Sequence, residues 1–195
     1  MEEQNINPAQ SLQSIQNMIS RAQNKLSENG FLFIFWGWLV FISAAAFYFL
    51  TLGGFENPWY ARLTMPLGGI FTMVFAIRQK KKEKVRTYID DYMAYVWSAF
   101  GICLLITLLM GFKLQLYCYP IVIMLYGTAT FITGGIIRFT PLIICGALSY
   151  AISVCAFFVN FETQILLLAL SVLVSYIIPG HWMQIKFKKQ SPHGA

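Results

Sequence analysis

Apolar and polar positions fall in long blocks along this chain. After a mostly polar stretch, residues 1–30, an uncharged apolar run covers Phe31–Gly53. Five more runs follow, at Trp59–Ile77, Tyr92–Phe112, Leu114–Ile137, Phe139–Phe161 and Thr163–Gly180. Roughly 20 apolar residues, rising 1.5 Å each in a helix, cross the hydrocarbon core of a bilayer. Each run reaches that scale and is bounded by a charge, a proline or a glycine. The runs are continuous rather than alternating, which excludes a transmembrane barrel, and backbone in lipid must satisfy its own hydrogen bonds. The pattern therefore predicts an all-α membrane protein with six transmembrane helices over residues 31–182. The connections at Gly54–Pro58, around Lys113 and at Asn160–Glu162 are short, so the helices should pair as three antiparallel hairpins.

The leader has a different period. Asn7-Pro8 supplies an N-cap with proline at the first helical position, and Asn29-Gly30 supplies a stop. Between them Leu12, Ile15, Met18, Ile19, Ala22 and Leu26 share one helical stripe, with Asn17, Arg21, Asn24 and Lys25 opposite. A separate cytoplasmic amphipathic helix is expected before the first span. Its docking surface would be Leu12, Ile15, Met18, Ile19 and Leu26. The polar face is rich in Gln, Ser and Asn rather than basic. That favours packing on protein, either the bundle's cytoplasmic ends or a partner helix, over lying on the membrane surface.

Composition agrees with this picture and charge adds orientation. The chain is 57% hydrophobic and 11% charged, against about 25% charged in a soluble domain. Its net charge of +6 sits beside the spans, where it meets lipid headgroups rather than nucleic acid. With a cytoplasmic N-terminus, twelve basic residues (Arg21, Lys25, Arg78, Lys80, Lys81, Lys82, Lys84, Arg86, Arg138, Lys186, Lys188 and Lys189) fall inside and two, Arg62 and Lys113, outside. Both termini, including a basic tail at 183–195, are therefore expected in the cytoplasm. Trp59, Tyr60, Tyr117 and Tyr119 would mark the outer boundary, and Tyr88, Tyr92, Trp97, Tyr176 and Trp182 the inner one. The run Arg78–Arg86 is a topology signal. Arg78, Lys80, Lys81, Lys82, Lys84 and Arg86 are also the expected contact for anionic headgroups.

Little chemistry is encoded. The spans carry no Asp, Glu or Lys, and no His before His181, which argues against a proton-coupled pump. No metal or cofactor is expected, because haem and metals need converging His, Cys or carboxylate groups. No nucleotide-binding, Ser-hydrolase or zinc-protease motif occurs. His181 ends a helix after Pro179-Gly180. It could form an enzyme site with Asp90 and Asp91, whose simpler role is at a helix N-terminus. Cys103, Cys118, Cys145 and Cys155 show no CxxC pairing and read as buried thiols. Ala147, Ala151 and Cys155 form a small-residue stripe suited to close helix packing, and Gly68, Gly69, Gly134 and Gly135 would pack or loosen their helices. Thr128, Thr130 and Thr133 should bond internally rather than line a pore. The expected function is association with lipid, with other copies of the chain or with a partner membrane protein. A small-solute or ion transporter or channel is the alternative, and an enzyme at the cytoplasmic face comes last.

FTMVFAIR at Phe71–Arg78 and FITGGIIR at Phe131–Arg138 hint at a repeat offset by 60 residues. FWGW at Phe35–Trp38, VRTYID, YVWSAFGI, GTATFITGGIIRFTPLIICGALS and YIIPGHW together resemble an uncharacterised family of small six-span bacterial inner-membrane proteins. The even-helix endings are more faintly similar to acid-resistance membrane proteins built from helical hairpins. Both resemblances imply a bacterial inner-membrane location, and neither implies catalytic residues.

Overall fold

A computed structural model describes residues 8–54, 68–72, 74, 75, 78 and 88–188, with side chains described for 30–54, 68–72, 74, 75, 78 and 91–185. Helix is the only regular structure among the described residues. Gly30–Leu52, Asp91–Leu109, Gly111–Ile136 and Phe161–Ile185 are long and apolar enough to cross a membrane, and Thr140–Ala156 is apolar but shorter. The chain is a helical membrane protein. Of the second apolar run, residues 68–72, 74 and 75 are helical, as is Arg78 beyond it. The rest of that run, most of the basic loop and the final residues lie outside the described set, as do the docking-stripe side chains.

In chain order the helices are α1 (Pro8–Leu52), α2 (Tyr88–Leu109), α3 (Gly111–Leu114), α4 (Cys118–Ile136), α5 (Thr140–Ala156), α6 (Phe161–Val172) and α7 (Ile178–Lys188). A 3₁₀ turn, Gln115–Tyr117, joins α3 to α4, and a π turn, Leu173–Ile177, joins α6 to α7 into one rod. Three features depart from expectation. First, α1, described from Pro8 onward, does not stop at Asn29-Gly30. Gly30 lies against Gly180, Met183 and Gln184 of α7, and that contact offsets the roughly 1 kcal/mol a glycine costs inside a helix. Second, the last helix runs through Pro179-Gly180 to Lys188, so His181 does not end it. The preceding π turn makes this possible: an interior proline has no N–H and collides with the carbonyl four residues back, and a π turn alters that spacing. Third, α5 stops at Ala156, and a turn leads to Asn160, the N-cap position of α6. At 1.5 Å per residue α5 is about 26 Å long, slightly under the bilayer core.

The α6–π–α7 rod is the axis of the bundle. Ile165, Leu168, Ala169, Val172, Tyr176 and Met183 are buried along it. α1 runs antiparallel to it. Phe47 meets Phe161 at one end with ring centroids 6.4 Å apart, while Gly30 meets Gly180 at the other. α4 and α5 pack antiparallel with very close backbones. A Cβ on Gly146 would lie 2.7 Å from the Phe131 nitrogen, and one on Gly134 would lie 2.8 Å from the Ile143 nitrogen. The turn between them is a Schellman motif, with Phe139 N–H donating to the Gly134 carbonyl at 2.9 Å. Its left-handed position, usually glycine, is Arg138 with φ 53°.

Several face assignments change. Ala147, Ala151 and Cys155 point outward, and α5 instead buries Gly146, Ser149, Ser153 and Ala156. Cys103 and Cys155 are exposed and Cys118 and Cys145 half-buried, none of them in a disulfide, so burial is not the rule for these cysteines. Gly134 packs tightly and Gly68 meets Leu39, whereas Gly69 and Gly135 face open space. Trp97 and Tyr176 belong to the core rather than to an interfacial belt. The paired Ile-Arg endings differ locally too, since Arg78 is helical and Arg138 sits in a turn.

Candidate functional site

Charge gathers at one end of the bundle. Phe31 stacks near Phe75 and Phe35 near Phe71, while Trp36 Nε1 donates to Thr72 Oγ1 at 2.9 Å. The described part of the second run thus lies antiparallel on α1, which carries Arg78 to the Gly30 end. Phe139 meets Trp182 at 6.5 Å, which puts Arg138 and the last turn of α7, with Lys186 and Lys188, at that same end. Lys113 and Glu162 lie opposite. Arg78 and Arg138 are exposed. Lys80, Lys81, Lys82, Lys84 and Arg86 lie outside the described residues.

The interior holds an aromatic cluster at the π turn. The Tyr176 ring lies 5.0 Å from Phe33, 6.3 Å from Trp97 and 5.3 Å from Tyr126. Trp97 packs edge-on against Phe33 and Phe100, and Phe100 against Tyr126. Four helices therefore converge on one phenol that is 1% exposed. Along α4, α5 and the α6–π rod, Thr130, Thr133, Ser149, Ser153, Gln164, Ser171 and Ser175 are also buried. Some of these are satisfied. Thr130 Oγ1 donates to the Tyr126 carbonyl at 2.9 Å, Ser175 Oγ to the Ser171 carbonyl at 2.7 Å and Ser153 Oγ to the Pro120 carbonyl at 2.8 Å. Thr133 Oγ1, Gln164 Oε1, Ser171 Oγ and the Tyr176 hydroxyl have no hydrogen-bond partner among the described residues. The Tyr176 hydroxyl faces Thr130 without reaching bonding geometry.

The sequence expectation for the threonines holds in two of three cases. Thr128 donates to the Met124 carbonyl and accepts from Tyr150, and Thr130 back-bonds within its helix, but Thr133 does not bond. The sequence expectation differs for Tyr176, which it places at the interface and the structure places in the core. One signal of an irregular helix there is Pro179, which deprives the turn before it of an N–H.

His181 is exposed, and its Nδ1 lies 2.9 Å from the Ile177 carbonyl of its own helix. Asp91 is exposed at the start of α2, and the side chain of Asp90 lies outside the described set. No group of three His, Cys, Asp or Glu occurs among the described residues. Two grooves open on the outer surface, between α1 and α6 and between α5 and α6, and both are lined by apolar side chains such as Phe41, Ala45, Ala151 and Leu167. No family model, curated protein or solved structure matches the chain.

Proposed function

We propose that this is a six-span inner-membrane protein of the kind its sequence resembles, with three helical hairpins and both termini in the cytoplasm. It acts by association within the bilayer rather than by catalysis. The observation that carries association is the position of α2. Only 6% of its membrane window is buried in the bundle, against 39–44% for the other three long spans. It is held by one edge (Met93, Trp97, Phe100, Leu104 and Thr107), and its outer face presents Ala94, Ser98 and Gly101 beside Ile102 and Leu105. Small residues permit close helix approach in lipid, where packing rather than the hydrophobic effect drives association. One self-complementary helix face is the simplest basis for a two-fold pair, so a second copy is the first partner. The clustering of Arg78 and Arg138 at one end supports the cytoplasmic assignment of that end and headgroup contact there.

The test is cysteine crosslinking in native membranes. With all four cysteines replaced, Ser98→Cys or Gly101→Cys should give intermolecular dimers, and Val154→Cys on the outer face of α5 should not. Equal crosslinking at all three sites, or at none, would remove α2 as the association surface.

A further inference from the structure

We infer that α6 seats one two-chain phospholipid, whose acyl chains lie in the apolar grooves on either side of the helix. The lipid belongs to the leaflet at the end opposite Arg78 and Arg138. This goes beyond association through α2 and headgroup contact at the arginine end, and it uses none of those side chains.

The grooves flank a single ridge. Leu166 and Leu170 stand exposed on α6. On one side the groove against α1 has a volume of about 310 Å³ and includes Ala44, Ala45 and Ala169. On the other the groove against α5 has about 290 Å³ and includes Ala151 and Cys155. Small side chains leave both gaps. Leu170 borders both grooves, so two chains joined at one glycerol can straddle the ridge.

Depth names the occupant. The first groove runs from Phe41 to Phe49, in the second half of the span Gly30–Leu52, and from Leu173 to Leu166 on the rod. The second runs from Leu148 to Cys155 and from Val174 to Leu167. Both therefore end near the middle of the bundle and open at the same end. From Leu166 to Val174 the rod rises about 12 Å, close to the roughly 15 Å of one leaflet's hydrocarbon. The spanning helix of a partner would need a seam through both leaflets. Water needs two to four polar partners, which the described lining does not supply. An acyl chain fits both limits. Surrounded by lipid it gains only by packing, and a groove gives it walls on several sides where a flat helix face gives one. The polar end agrees. Thr163, one turn before Leu166 and Leu167, donates to Asn160 Oδ1 at 2.6 Å, and Glu162 is exposed beside them, which puts polar groups at the headgroup level of that leaflet.

Photocrosslinking of the full chain tests this. The probe is phosphatidylglycerol with a diazirine in mid-chain, in vesicles of phosphatidylethanolamine and phosphatidylglycerol. Adducts should gather around Ala45 and Ala151 several-fold above those at Met124, an exposed residue of α4 outside the grooves. Ala151→Phe fills one groove and should lower labelling several-fold around Ala45 as well, because both chains belong to one lipid; Met124→Phe should change neither. Ala151 is exposed, so the larger side chain does not meet the core, and Ala151→Leu carries the comparison if the Phe variant is not monodisperse. Labelling no higher than at Met124, or unchanged by Ala151→Phe, would overturn the site. Loss confined to the filled groove would overturn the single two-chain lipid. A disulfide between copies through Ala151→Cys, with the four native cysteines replaced, would overturn lipid in favour of a second copy.

Discussion

Replacing Gly146 with alanine tests the closest contact in the fold. A Cβ there would sit 2.7 Å from the Phe131 nitrogen and 2.8 Å from both its Cα and Cβ. Ordinary contact begins at 3.4 Å, so α4 and α5 must separate by about 0.7 Å. The obstacle is mostly backbone, which a rotamer change cannot relieve. A radial gap of about 0.5–1 Å forfeits a quarter to a half of each dispersion well it opens, and here it would open the contacts along α4–α5, including Gly127 with Ser149 and Gly134 with Ile143. Overpacking of this kind costs about 1–3 kcal/mol, and gaining alanine inside a helix returns about 1 kcal/mol. The net expectation is a loss of up to about 2 kcal/mol. Gly101→Ala provides the opposite sign, since nothing lies within 4 Å of a Cβ at that mid-helix position, and it should gain about 0.5–1 kcal/mol from propensity alone. Reversible unfolding in mixed micelles, titrated with denaturing detergent, measures both. A Gly146→Ala protein more stable than the unmodified one would refute the backbone-to-backbone approach of α4 and α5.

Other expectations follow from the same geometry. Arg138 and Gln115 hold positive φ of 53° and 45°; Arg138→Gly should relieve about 1 kcal/mol of left-handed strain, readable as a raised unfolding midpoint, and no rise would mean the turn is not strained. Replacing Cys103, Cys118, Cys145 and Cys155 together with Ala or Ser should preserve expression and monodispersity, and mass spectrometry should find no native disulfide to lose. Ser191→Cys in that background should resist an impermeant thiol reagent in intact cells and react after lysis; reaction in intact cells would reverse the proposed topology. Ile15→Asp with Ile19→Asp should raise amide exchange across residues 9–28, while Gln13→Asp with Asn17→Asp should not; equal exchange would remove the leader stripe as a docking surface.

Sequence alone determined the helical class and the membrane setting, because continuous apolar runs of bilayer length have few other solutions. It also determined a break near Lys113, where the structure ends α2 at Leu109 and turns at Gln115–Tyr117. It misjudged continuity at Asn29-Gly30 and at Pro179-Gly180. Local stop signals there were overruled by close packing of Gly30 against α7 and by the π turn, and neither is visible in a short window. It also misassigned faces. In a helix that is apolar all round, period does not say which side meets protein, so Ala147, Ala151 and Cys155 read as the packing stripe that Gly146, Ser149 and Ser153 form. Tertiary structure alone decided that Tyr176 is a core residue and that α2 hangs at the edge of the bundle. Both depend on how the helices cross, and in lipid that crossing is fixed by where glycines let backbones touch.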